Sequence, residues 1–251
     1  MRKVYNNLSL DEIEEKIFQL SNNWIYAANR KFCLELQTDI RFMERPEYIV
    51  LDTETNGLPL NYNVPITDSS NWPRLVQCSY LEVGIDETFV KGIEPKESVR
   101  ESSFIIKPKG DIISSESTAI HGISQTEALA KGDELFYVLV SLGRTLSDYE
   151  NADKKIIVGH NVEYDIKVLS AEYHRLGLEN PFANATIIDT MKESVDYCKI
   201  PGSHGYKWPK LQELYKFLFG KEFVGAHNAL ADVNATNECY RELKRRGVIK
   251  E

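Results

Sequence analysis

The stretch YIVLDTETNGLP, residues 48–59, constrains this chain more than any other. Tyr48, Ile49, Val50 and Leu51 form a short unbroken apolar run, the pattern of a strand buried on both faces. Asp52 and Glu54 follow with one residue between them, so in a strand both carboxylates leave the same face near its C-terminal end. Asn56-Gly57 then ends the strand in a turn. Two neighbouring acids at the end of a buried strand repel each other and resist desolvation. They are stable there if a divalent cation lies between them, or if the strand end is open to water. The stretch alone leaves both readings open.

Apolar runs further along supply the rest of a sheet. Residues 75–84 (LVQCSYLEVG) and 103–108 (SFIIKP) have strand character, and a short run near 88–90 adds to it, which suggests an antiparallel meander leading off the first strand. Residues 60–73, rich in Asn, Asp, Ser and Pro, read as a loop. A helix is predicted near 114–120, and a longer one over 134–149 carries Leu135, Val138, Leu139, Leu142 and Leu146 as its stripe. Residues 155–161 (KIIVGHN) form a second buried strand leading directly into a helix over 162–177, with Val162, Leu169, Tyr173 and Leu176 on one face. Asp165 falls on that same apolar face. Residues 185–191 make another short strand. Pro209 suits the first turn of a helix whose Leu211, Leu214, Phe217 and Leu218 face inwards. The last helix runs from about 228 to 246, and Asp232 shares its inward face with Thr236, Cys239 and Leu243. Residues 1–45, with Leu10, Ile13, Ile17 and Leu20 at helical spacing, are expected to form an N-terminal helical extension beside a main domain over 46–251. Strands followed by strand–helix alternation imply an α/β fold, a mixed sheet flanked by helices.

Acids therefore stand at three separate element ends, each at a surface that should be packed: Asp52 with Glu54, Asp165, and Asp232. His227 precedes Asp232 by five residues. Four carboxylates and an imidazole are the set that two-metal phosphoryl transfer requires. Hard oxygen ligands suit magnesium or manganese, and an imidazole takes a proton from water near neutrality. Among the other histidines, His121 and His160 are expected to be bonded to backbone, His174 to lie on a helix surface and His204 in a loop. Asp189 is expected to cap Met191 and its neighbours.

The motifs YIVLDTETNGLP, VGHNVEYDIKVL and HNALADVNAT, in that order, resemble the three exonuclease motifs of the DEDDh 3′→5′ exonucleases, the family of the bacterial proofreading subunit. STAIHGIS and IIDTM resemble its connecting segments. The likeness covers residues 48–247, leaving 1–45, 60–73 and 194–210 outside it. It implies a ribonuclease H-like sheet. It also implies that Asp52, Glu54 and Asp232 hold one metal ion, that Asp52 and Asp165 serve a second, and that His227 is the general base. The turn with Thr55, Asn56, Gly57 and Leu58 would receive the terminal nucleotide. The implied reaction is magnesium-dependent release of nucleoside 5′-monophosphates from single-stranded DNA, with manganese able to substitute. Trimming of RNA 3′ ends, or a catalytically idle nucleic-acid-binding module, are the alternatives. The partner is a nucleic acid with a free 3′ end, with a polymerase or repair protein possible beside it.

Bulk properties agree. Thirty basic against thirty-eight acidic side chains give a net charge of −8, which argues against coating nucleic acid by bulk electrostatics but not against handling a few phosphates through metal ions. The cations near the site are few: Lys107 and Lys109, and Lys207 and Lys210 interleaved with Tyr206 and Trp208. Cys33, Cys78, Cys198 and Cys239 are far apart, as expected for reduced thiols. No apolar run reaches a membrane span, and residues 1–9 lack a signal segment, so the cytoplasm is the expected compartment. No GxGxxG, GxSxG or Walker pattern supports a rival chemistry.

Overall fold

The computed structural model describes residues 46–86, 96–147 and 155–250. The chain divides into two units, Met1–Glu44 and Arg45–Glu251, and all described residues belong to the second. The expected helical extension, Cys33 and the short run near 88–90 lie outside the described residues.

The central strand forms where the apolar run predicts it, as β1 (Tyr48–Thr55). It pairs antiparallel with β2 (Leu75–Asp86), which pairs antiparallel with β3 (Lys96–Ile105). On its other side β1 pairs parallel with β4 (Ile156–Gly159), and β4 pairs parallel with β5 (Thr186–Asp189). The order β3-β2-β1-β4-β5 is the mixed, ribonuclease H-like sheet, with the meander and the parallel half meeting at β1.

Because side chains alternate along a strand, β1 feeds two separate helix layers. Ile49 and Leu51 pack with α3 (Leu135–Ser147) and α4 (Val162–Arg175), through Leu139, Leu142, Val168 and Leu169. Tyr48 and Val50 pack on the opposite face with α7 (Leu211–Phe219) and α8 (Ala229–Arg245), through Leu214, Val233, Cys239 and Leu243. Two short helices, α1 (Ser115–His121) and α2 (Gln125–Lys131), sit between β3 and α3. Between β5 and α7 lie the single turns α5 (Thr190–Glu193) and α6 (Val195–Cys198), then a hairpin of β6 (Pro201–Gly202) and β7 (Gly205–Tyr206).

Several sequence expectations need correction. The strand predicted over 155–161 stops at Gly159, because Asn161 turns left-handed (φ +66°) to start α4. The approach is tight: a Cβ on Gly159 would lie 2.5 Å from the Val162 Cβ. The strand predicted over 185–191 ends at Asp189, whose carboxylate accepts the Met191 N–H at 3.0 Å as the expected cap and starts α5. The strand predicted over 103–108 begins earlier and ends at Ile105, beyond which Ile106 makes only a bridge to Asp133. Phe217 is 47% exposed, since Leu214, Tyr215 and Leu218 already fill the inward face of α7. Leu176 is likewise exposed, at the C-cap of α4 where the stripe has ended.

Candidate active site

The alternation along β1 decides where each acid goes. Asp52 and Glu54 share the parity of Tyr48 and Val50, so they leave the strand on the α8 side. There Asp232, on the buried face of the first turn of α8, meets them: ligand oxygens of Asp52, Glu54 and Asp232 lie within 4.8 Å of one another. Asn228 caps that helix, its side-chain oxygen accepting the Leu230 N–H at 3.1 Å and the Ala231 N–H at 3.3 Å. His227, just ahead of the cap, is left-handed (φ +67°), and its backbone N–H donates to Asp232 Oδ2 at 3.0 Å. Its imidazole is exposed. The loop conformation thus orients the Asp232 carboxylate and leaves the ring open to solvent.

Thr53, between the two acids, points to the α4 side and finds Asp165. Asp165 Oδ1 accepts the Thr53 N–H at 2.9 Å and the Thr53 hydroxyl at 2.6 Å. Asp165 is therefore outside the three-carboxylate group yet close enough to act on it electrostatically. Burial, then Asp165, Asp232 and Glu54 in turn, push the Asp52 carboxyl well above its ordinary range. Burial, then Asp232 and Asp165, raise Glu54 to about 8. Burial raises Asp165 to about 7 against the two bonds from Thr53. Burial raises Asp232 to about 6, opposed by the His227 N–H. Four acids so placed resist ionising together, and a bound divalent cation reverses that penalty. An all-oxygen donor set suits a hard cation, so these residues fit the metal requirement of a phosphodiester hydrolase.

The turn that follows β1 is tied on every side. The Thr55 hydroxyl lies 2.7 Å from both the Gly57 carbonyl and the Tyr164 hydroxyl, and Tyr164 donates to the same carbonyl at 3.1 Å. The Asn56 side chain accepts the Arg74 N–H at 2.8 Å and donates to the Ile112 carbonyl at 3.1 Å, so it braces the turn. Leu58 is 72% exposed at the tip, with Tyr62 against Tyr164 nearby. Arg74 continues the bracing into the fold, bonding Asp111 at 2.7 Å and the buried Glu172 at 2.8 Å.

The competing histidines are accounted for among the described residues. His121 accepts the Ile123 N–H at 3.1 Å, and His160 bonds the Pro209 carbonyl at 2.9 Å and the Thr190 hydroxyl at 3.0 Å. Burial lowers the pKa of both. His174 and His204 are exposed. Lys109 is paired with Glu134 at 2.6 Å and Lys207 with Glu213 at 2.6 Å. Sequence reasoning missed Thr53 and Tyr164 as supports of the site. The parity of β1 could have found Thr53.

A ribonuclease H-like sheet with carboxylates converging at the C-terminal end of its central strand defines the nuclease class of phosphodiester hydrolase. The chain belongs to the Exonuclease (RNase T) family, whose model matches residues 49–240. Exonuclease I from E. coli in complex with a dT13 oligonucleotide is similar at 23% identity, with a TM-score of 0.56 over 79% of this chain and 41% of that one. A product-bound exonuclease I is similar at 20% identity, with a TM-score of 0.59 over 82% of this chain and 45% of that one. The chain thus spans less than half the length of these structures, and the likeness speaks for the fold. No curated protein matches it.

Proposed function

We propose that this protein is a 3′→5′ exonuclease that releases nucleoside 5′-monophosphates from single-stranded DNA with magnesium as cofactor. Residues 46–251 form its exonuclease domain and 1–45 an N-terminal extension. The observation that carries the reading is the convergence of Asp52, Glu54 and Asp232 to within 4.8 Å from two distant parts of the chain. Family membership supports it, as does the oligonucleotide bound to a structure of the same fold.

In this reading Asp52, Glu54 and Asp232 would hold a divalent cation, and Asp165 would serve a second directly or through water. A cation held there would supply Lewis-acid chemistry for phosphodiester hydrolysis by water near neutral pH. The chain's own residues do the rest. His227, exposed beside Asp232, takes the proton of the attacking water. The turn of Thr55, Asn56, Gly57 and Leu58 receives the terminal nucleotide, with the exposed Leu58 against its base. Tyr164 keeps that turn closed through Thr55 and Gly57.

The test uses 5′-labelled single-stranded DNA and RNA of one sequence with magnesium, comparing wild type and Asp232→Asn. A ladder that shortens from the 3′ end and vanishes in the variant is expected, with DNA the faster substrate. Shortening from the 5′ end, or cleavage that survives in Asp232→Asn, refutes the assignment. Faster RNA trimming moves it to an exoribonuclease using the same residues.

A further inference from the structure

One surface beside the site has chemistry that the assignment above does not use. Residues 199–210 contain Lys199, Lys207 and Lys210 and no acid, in a chain of net charge −8. Tyr206 and Trp208 in this segment are 51% and 62% exposed. Exposed aromatic faces interleaved with cations are the chemistry by which proteins hold single strands.

The segment is fixed in place. Pro201 and Gly202 pair with Tyr206 and Gly205. The Lys207 N–H donates to the Ile200 carbonyl at 2.9 Å. Glu213 accepts the Lys207 ammonium at 2.6 Å and the Lys210 N–H at 2.8 Å. Between Trp208 and Lys210, the buried Pro209 is fastened to the His160 ring at 2.9 Å. His160 lies two residues past Val158, and Asp52 two residues past Val50, the pair that faces it across the parallel strands. The Trp208–Lys210 backbone is therefore tied, through Pro209, to the residue just past the end of β4, the strand next to β1. It also leads into α7, on the same side of the sheet as Asp232.

We propose that Tyr206 and Trp208 form a second nucleotide subsite, stacking on bases of the single strand 5′ to the bond that is cut, while Lys199 and Lys210 meet its phosphates. The polarity rests on the exonuclease reading above. If the turn at 55–58 takes the terminal nucleotide on the α4 side, the rest of the strand leaves past the α7 side. Stacking on aromatic faces tolerates any base and needs only a few cations, which fits an acidic protein.

The test measures binding of fluorescein-labelled, phosphorothioate-linked dT10 and dT2 to the full chain with magnesium, by anisotropy. Trp208→Ala and Tyr206→Ala are each expected to weaken dT10 binding by about tenfold, within the range for losing one stacked base. Trp208→Phe keeps a ring and should restore most of the affinity. The two Ala variants should also lose most of the preference of wild type for dT10 over dT2. Unchanged dT10 affinity in both Ala variants, equal losses for dT10 and dT2, or no dT10 binding by wild type overturns the subsite. If Trp208-dependent binding of dT10 holds but natural oligonucleotides are not cut, the exonuclease reading fails and the subsite stands.

Discussion

Replacing Glu54 by Gln should stabilise the protein when no metal is present. Glu54 ionises near 4.5 in an unfolded chain, and burial beside Asp232 and Asp165 raises it to about 8 in the fold. Below pH 4.5 both states hold the proton and the group contributes nothing to the pH dependence. As pH rises through this window the unfolded state loses a proton that the folded state retains, so metal-free stability falls until about pH 8. The full displacement is equivalent to about 5 kcal/mol. Glu54 is partly open to water and shares its repulsion with three other acids, so about 1–2 kcal/mol is the realistic share. For a chain of this size that is about 3–6 °C in Tm. Thermal melts in EDTA at pH 5, 6, 7 and 8 provide the assay. Glu54→Gln should exceed wild type least at pH 5 and increasingly to pH 8, and magnesium should raise the wild-type Tm mainly at the alkaline end. A difference that is absent at pH 8, or larger at pH 5, would mean that burial beside Asp232 and Asp165 does not penalise the Glu54 carboxylate in the fold.

His227→Asn should lower kcat by about 10²–10⁴ with little change in Tm, since Asn accepts the left-handed backbone and the Asp232 bond comes from the main chain. Steady-state kinetics alongside a melt will separate the two effects. Thr53→Val removes the 2.6 Å hydroxyl bond to Asp165, which should push that carboxyl above about 7 in the metal-free protein, read by NMR titration of the carboxyl in EDTA. An unmoved midpoint would mean that the Thr53 hydroxyl does not hold the Asp165 carboxylate. Glu172→Gln leaves Arg74 and Arg175 facing a neutral partner in a buried site and should cost about 3 kcal/mol, read from urea unfolding.

What the sequence disclosed follows from period. An apolar run ending in D-x-E can orient two acids only one way in a strand, and Asp232 one turn ahead of Thr236 can face only inwards. These signals are local and survive without a structure. Asp165 was legible as an acid on an apolar face, but its partner was not. Thr53 lies 112 residues away, and only the placement of α4 beneath β1 brings the two together. Tyr164 escaped notice because its hydroxyl acts on a turn 107 residues distant. The hairpin had no period to detect, since each of its strands has two residues. Phe217 and Leu176 misled for the reverse reason: they continue an apolar spacing after the available core has been filled.

The same alternation explains why the acids divide as they do. Asp52 and Glu54 belong to the layer that contains α8, and Thr53 to the layer that contains α4. One strand therefore positions Asp232 from one side and Asp165 from the other. Asp165 is held by both the backbone N–H and the hydroxyl of Thr53, so any shift of α4 relative to β1 is felt by the residue between Asp52 and Glu54. Gly159 at the β4–α4 junction allows the close approach, since a Cβ there would lie 2.5 Å from the Val162 Cβ and 3.1 Å from the Leu51 carbonyl. The cluster is consequently a property of the packing of two helix layers on one strand, and changes in either layer should reach it without touching an acid.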